Sequence, residues 1–164
     1  DDLMFDVNLR TTSLSAQACQ PQLLLAAGAG LHPQILTLAP PPDLRAKWFA
    51  PHVASTIAKY GMSLCVLGMA EEFRAAGIGI NALWPRTVIA TAAIAMIPGI
   101  DTSQCRRPEI VADAAHAVLT RDARQSTGNF YIDDDVLREQ GVRDFDRYAV
   151  LPGAALRTDL FLDD

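Results

Sequence analysis

The sequence predicts an α/β layer fold in which parallel strands are joined by helical crossovers, and three observations carry that expectation. Short β-rich runs alternate with long apolar patterns of helical period, in the order helix, strand, helix, strand, helix, strand. The helical connections have the length that a crossover between parallel strands requires. The 164 residues are 50% hydrophobic and 20% charged, which suffices for a core and excludes a disordered, highly charged chain. One domain is expected at this length, since roughly 100 to 200 residues per domain is usual.

In the first segment, residues 1–27, Leu3, Val7, Leu14, Ala18 and Leu25 recur at helical spacings. Pro21 is expected to bend or divide this helix. Gly28, Ala29 and Gly30 break the pattern, and Pro33 leads into Gln34-Ile35-Leu36-Thr37-Leu38-Ala39, a buried strand closed by Pro40, Pro41 and Pro42. A proline-rich loop with Lys47 and Trp48 follows. The strongest helix runs from about Val53 to Ala76 on Val53, Ile57, Tyr60, Leu64, Leu67 and Phe73, with Gly77 placed as a left-handed cap. Ile78 to Trp84 reads as a second strand stopped by Pro85. Pro108 starts a further helix through Ile110, Val111, Ala114 and Val118, and Gly128 to Ile132 reads as a third strand. Residues 1–150 are expected to form the domain, and residues 151–164 a tail that docks by its leucines or frays.

Fourteen Lys and Arg against nineteen Asp and Glu give a net charge of -5, the wrong sign for binding nucleic acid by counterion release. Cys19, Cys65 and Cys105 are odd in number and lack CxxC spacing, so neither a disulfide framework nor a zinc site is expected. The acidic start and the lack of an apolar run of about 18 to 20 residues point away from a signal peptide or membrane span, and a cytoplasmic protein is expected. The chain opens on Asp1 rather than Met, inside what reads as a helix, which fits a fragment, a processed product or a mis-set start.

Several local patterns have plain structural readings. Gly28-Ala29-Gly30 follows a helix and precedes a strand, the reverse of a dinucleotide fingerprint, and reads as a loop. His32, His52 and His116 have no ligand-spaced partners, and no metal site is expected. Asp133-Asp134-Asp135 lacks the alternation and glycine of a calcium loop and reads as a solvated turn capping a short helix.

The informative stretch is Trp48 to Ser63, with Ser55 and Lys59 four residues apart on one helix face. It resembles the active-site helix of the short-chain dehydrogenase/reductase family, where a Tyr stands four residues before a Lys. At that spacing the ammonium can lower the phenol's pKa from about 10, which suits proton exchange with a carbonyl or alcohol while a nicotinamide exchanges hydride. The resemblance covers almost the whole chain. Asp6-Val7-Asn8-Leu9-Arg10 resembles the family's VNxxG-type segment, placing Asn8 in the proton relay. Ile35 to Pro41 resembles the strand end that presents the catalytic Ser, and Ile80 to Thr87 resembles the Asn-x-x-x-Pro-Gly segment. There the backbone of Pro85, Arg86, Thr87 and Val88, together with Lys59, would border an NAD or NADP nicotinamide. The combination LTLxPP, WFAPH, AKYGMS, GMAEEF, NALWPRT and GNFYIDD is similar to the hydroxysteroid-dehydrogenase-like branch. A partial Rossmann-like three-layer fold, corresponding to the family's C-terminal half, is what this resemblance implies.

Two of the four catalytic positions depart from the pattern. Ser55 stands where the family has Tyr and Ala39 where it has Ser, while Asn8 and Lys59 match. An aliphatic hydroxyl is shorter and far less acidic than a phenol, and Ala39 cannot polarise a carbonyl. Tyr60 lies roughly 140° around the helix from Ser55 and is expected to serve packing or an interface. The family's Gly-rich phosphate loop is not found in these 164 residues. The expectation is an oxidoreductase by descent, acting if at all on a small alcohol or carbonyl, with weak or no NAD(P) binding and no useful turnover as the isolated chain. The alternative is a non-enzymatic pseudoenzyme that associates with itself or with a complete relative. A homo-oligomer is expected on either reading.

Overall fold

The computed structural model describes residues 2–163; Asp1 and Asp164, the outer ends of the predicted first helix and tail, lie outside the described residues. Three strands, β1 (Gln34–Leu38), β2 (Gly79–Trp84) and β3 (Phe130–Ile132), form one sheet in the order β1-β2-β3. β1 and β2 pair in parallel with Gln34 opposite Gly79 and Leu38 opposite Leu83, as the crossover argument requires. The chain groups into two compact units, one comprising residues up to Leu83 with Leu119–Tyr131 and the other Trp84–Val118 with Ile132–Asp164.

In the first unit, α1 (Asp2–Phe5) passes through a π-helical segment, Asp6–Arg10, into α2 (Thr11–Gly28). Of the bend or division expected at Pro21, the division does not occur: α2 runs through the proline unbroken. Pro21 and Gln17, whose carbonyl the proline leaves without its helical donor, are both exposed, so water can serve that carbonyl. α3 (Val53–Glu72) is continued by a 3-10 turn, Arg74–Ala76, and stops at Gly77 with φ +76°. That left-handed cap is where the sequence placed it.

Helices α2 and α3 cover the same face of the sheet. Ala27 of α2, Val66 and Ala70 of α3, and Ile80 and Ala82 of β2 form the buried cluster, with Leu23, Met62 and Phe130 packed around it. The alternate residue Asn81 is buried and satisfied: its Nδ2 donates to Ser126 O at 2.8 Å, and its Oδ1 accepts from the Asn129 backbone N–H at 3.0 Å and from Asn129 Nδ2 at 2.9 Å. A buried amide with its hydrogen bonds made fixes the register of the 126–129 segment beside β2.

α3 is long and apolar enough to cross a membrane by length and composition, with a mean hydropathy of 1.3, which the run-length reading of the sequence missed. Its Thr56, Tyr60, Ser63, Val66 and Ala70 are buried, the pattern of a core helix.

The second unit holds α4 (Ala92–Ala95), α5 (Glu109–Leu119) and α6 (Asp133–Glu139). α5 buries Ile110, Ala114 and Val118 at intervals of four. The expectation of a solvated Asp133–Asp135 turn is corrected: the segment does open a helix, but Asp133 and Asp134 are both fully buried. Asp134 is 1% exposed and meets Arg86 Nε at 2.7 Å, Arg138 Nη2 at 3.0 Å and Arg106 Nη1 at 3.5 Å. Three guanidinium groups from separate stretches supply the compensation that a buried carboxylate needs. The tail docks through Phe161, which is buried, while Leu151 and Leu160 are exposed and Leu156 and Leu162 half-buried.

Candidate functional site at the end of β1 and the start of α3

Ala39 directly follows β1 and is 1% exposed. Ser55, Lys59 and Ser63 occupy successive turns of one α3 face, passing from exposed through half-buried to fully buried. Ser63 Oγ donates to Pro40 O at 2.7 Å, which ties this face to the residue after Ala39. Ala39, Ser55 and Lys59 are therefore held on two joined elements. Ser63 is the positioning residue that sequence reasoning missed; its place four residues beyond Lys59 was the available signal.

Burial lowers the Lys59 pKa below that of an ordinary lysine. Tyr60 is buried and packs edge-on against Phe49 at 5.5 Å. Burial foremost, then the Asp43 charge, raises its phenol pKa, so it is no substitute for an acidic tyrosine at position 55. The loop before α3 is tied to Asp43, which accepts from Arg45 and, at 2.7 Å, from Trp48 Nε1. These bonds, Arg45 first, hold the Asp43 carboxyl well below the usual range. Thr56 Oγ1 donates to Trp48 O at 2.7 Å and joins the loop to the first turn of α3.

Asn8 lies in the π-helical segment. Its Nδ2 donates to Met4 O at 2.9 Å, and its carbonyl accepts from Thr12 Oγ1 at 2.7 Å. The segment packs closely on α3 at Gly61, where an added Cβ would sit 2.9 Å from Leu9 Cδ1.

Pro85 to Val88 belong to the second unit. The Arg86 N–H donates to Asp133 Oδ1 at 3.0 Å, and the Val88 N–H donates to Arg157 O at 2.9 Å. The Arg86 guanidinium is held by Asp134 and Asp135; its burial opposes the charge, but these two carboxylates outweigh it and raise the pKa further. Thr87 and Val88 are buried. The donors of Arg86 and Val88 are thus engaged within the chain.

The Gly28–Gly30 turn spends its amides on α2: Ala29 N–H bonds Leu25 O at 3.0 Å and Gly30 N–H bonds Ala27 O at 3.1 Å. It caps a helix C-terminus and offers no cradle to a pyrophosphate.

Solved structures share this fold. A dehydrogenase-type protein of Xanthomonas campestris is 57% identical with a TM-score of 0.94, over 99% of this chain and 58% of its own. A short chain dehydrogenase of Mycobacterium thermoresistibile is 43% identical with a TM-score of 0.88, over 99% of this chain and 56% of its own. The chain is a short-chain dehydrogenase/reductase homologue, corresponding to the C-terminal half of that fold. Its branch is the hydroxysteroid-dehydrogenase-like one: hydroxysteroid dehydrogenase-like protein 2 of Danio rerio is 52% identical over 163 residues, 99% of this chain and 38% of the relative. The chain thus spans well under half the length of the curated relatives it matches. No protein-family profile matches it. The family implies a nicotinamide cofactor.

Proposed function

We propose that this chain is an oxidoreductase by descent that retains the catalytic frame as structure and, as the isolated chain, performs no alcohol or carbonyl redox chemistry. The observation that carries this reading is the pair of substitutions on the joined elements: Ser55 stands one turn before the retained Lys59 on α3, and Ala39 follows β1. A serine hydroxyl does not ionise near neutral pH, and a methyl group sealed at position 39 donates nothing to a carbonyl. Lys59 has no phenol four residues before it to acidify. The engaged glycine turn supports weak or no binding of NAD or NADP. Calorimetric titration with either cofactor tests this: no heat beyond dilution is expected, and micromolar affinity would overturn it.

A second reading, an association module, is favoured by exposed apolar side chains. Val53, Ile57, Leu64 and Leu67 line the open side of α3, and Leu3, Val7, Leu14 and Leu25 that of α1 and α2. β1 is an edge strand, and a cleft of about 350 Å³ lies between it and α2. We propose that this surface joins two copies of the chain. Sedimentation should give a dimer or larger assembly that Leu64→Glu dissociates; a monomer persisting at high concentration would contradict it.

A further inference from the structure

Residues Arg157–Phe161 run antiparallel along Arg86–Val88. The Val88 N–H donates to Arg157 O and the Asp159 N–H to Arg86 O, each at 2.9 Å, with Thr87 and Thr158 paired between them. Trp84 closes the far end, its indole N–H donating to Leu160 O at 2.9 Å and its ring meeting Phe161 edge-on at 5.9 Å. Phe161 is also, among the described residues, the only non-glycine residue with positive φ, at +71°. A bulky residue held there is strained, and the strain persists only while its surroundings hold it.

Two carboxyls flank this strap. Asp133 is fully buried; its Oδ1 accepts from the Arg86 N–H at 3.0 Å and the Asp134 N–H at 2.7 Å, while its Oδ2 has no hydrogen-bond partner. Asp159, on the strap, accepts from the Leu160 N–H at 2.6 Å and feels the Asp133 charge. The charged groups around them have other commitments. Arg86 is taken by Asp134 and Asp135, and Arg106, which faces Asp133, lies between Asp134 and the Phe145 ring. Arg157 donates to Gly99 O at 3.3 Å, and together with Asp159 and Asp101 it faces the Cys105 thiol.

We propose that Arg157–Phe161 is a proton-gated strap, laced to Arg86–Val88 while the Asp159 carboxyl on it is protonated and released, with the Phe161 strain relieved, when Asp159 ionises in the field of the buried Asp133. Release frees the Val88 N–H and the Arg86 carbonyl and bares Trp84, opening an edge at 84–88. Burial pushes Asp159 up to about 6, against the pull of its Leu160 hydrogen bond and with the Asp133 charge adding to the rise. Burial raises Asp133 as well. A carboxyl raised in the laced state favours lacing at low pH, and that advantage is lost as pH climbs through about 6.

Amide hydrogen–deuterium exchange, corrected for intrinsic chemistry, tests this between about pH 5 and about pH 8. Protection at Val88 and residue 159 should fall about tenfold or more across that range, with Ile80 and Ala82 of β2 unchanged, and Asp159→Asn should abolish the fall. Flat protection, an equal fall in Asp159→Asn, or a loss shared by β2 would overturn the proposal. Carbon-detected titration of the unaltered chain needs no variant: an Asp159 midpoint close to 6 is expected, and an ordinary carboxyl midpoint near 4 would overturn it.

Discussion

The Ser63 hydroxyl, buried in the middle of α3, donates to the Pro40 carbonyl at 2.7 Å and so joins the helix bearing Ser55 and Lys59 to the strand end bearing Ala39. Pro40 is itself fully buried, and its carbonyl has no access to water once the donor is removed. Ser63→Ala should therefore cost about 1 to 2 kcal/mol. Urea unfolding with an unchanged slope and a lowered midpoint would show it.

Gly79 opens β2 against a neighbouring backbone. An added Cβ would stand 2.8 Å from Ser126 O and 3.1 Å from Ala123 Cα. Neither atom can move aside as a side-chain end could, so Gly79→Ala should destabilise by about 1 to 3 kcal/mol, the usual range for overpacking, or more. Thermal unfolding measures it.

Asp134 receives three guanidinium groups at 1% exposure. Asp134→Ala strands Arg106, itself buried, without its carboxylate. A loss of about 3 to 5 kcal/mol is expected by denaturant titration. Arg138→Ala, which removes an exposed partner from the same cluster, should cost much less.

Lys59 lies half-buried, and its burial disfavours the ammonium in the fold. Below its folded-state pKa the penalty is fully present, because the folded and unfolded chains are both charged. As pH rises from that lowered value towards the unfolded lysine value, the folded state sheds its proton first and stability returns. Lys59→Met should therefore be more stable than the unaltered chain at neutral pH, with the difference narrowing at alkaline pH. Paired denaturant titrations across pH would show that convergence.

Much of this architecture is visible in the local pattern. α3 announces itself by its 3.6-residue period and Gly77 stop, and β1 and β2 by short β-rich runs with a helix between them. The positions of Ala39, Ser55 and Lys59 follow from motif spacing. Pro21 misled as to a division because its cost depends on whether the freed carbonyl can meet water, which is a property of the helix face. Asp133 and Asp134 misled for a different reason: an acidic run is solvated by default, and the arginines that bury this one lie 48 and 28 residues before and 4 residues after Asp134. Local spacing signals the Arg138 contact at i+4, but not the encounter with Arg86 and Arg106. How the tail docks is hidden similarly, since it docks through backbone pairing with 86–88 and through Phe161, and backbone hydrogen bonds leave no compositional trace.

The proposal that the chain turns over no alcohol or carbonyl rests on Ser55 and Ala39 standing where the family has Tyr and Ser. Its most direct test is NADH and NADPH oxidation by the purified chain with small ketones and aldehydes, beside the double variant Ser55→Tyr, Ala39→Ser. Both proteins should show no turnover above the protein-free rate, since the substitutions alone forfeit about 10² to 10⁴-fold and the glycine turn provides no phosphate site to recover. Robust turnover by the unaltered chain, proportional to its concentration, would contradict the account.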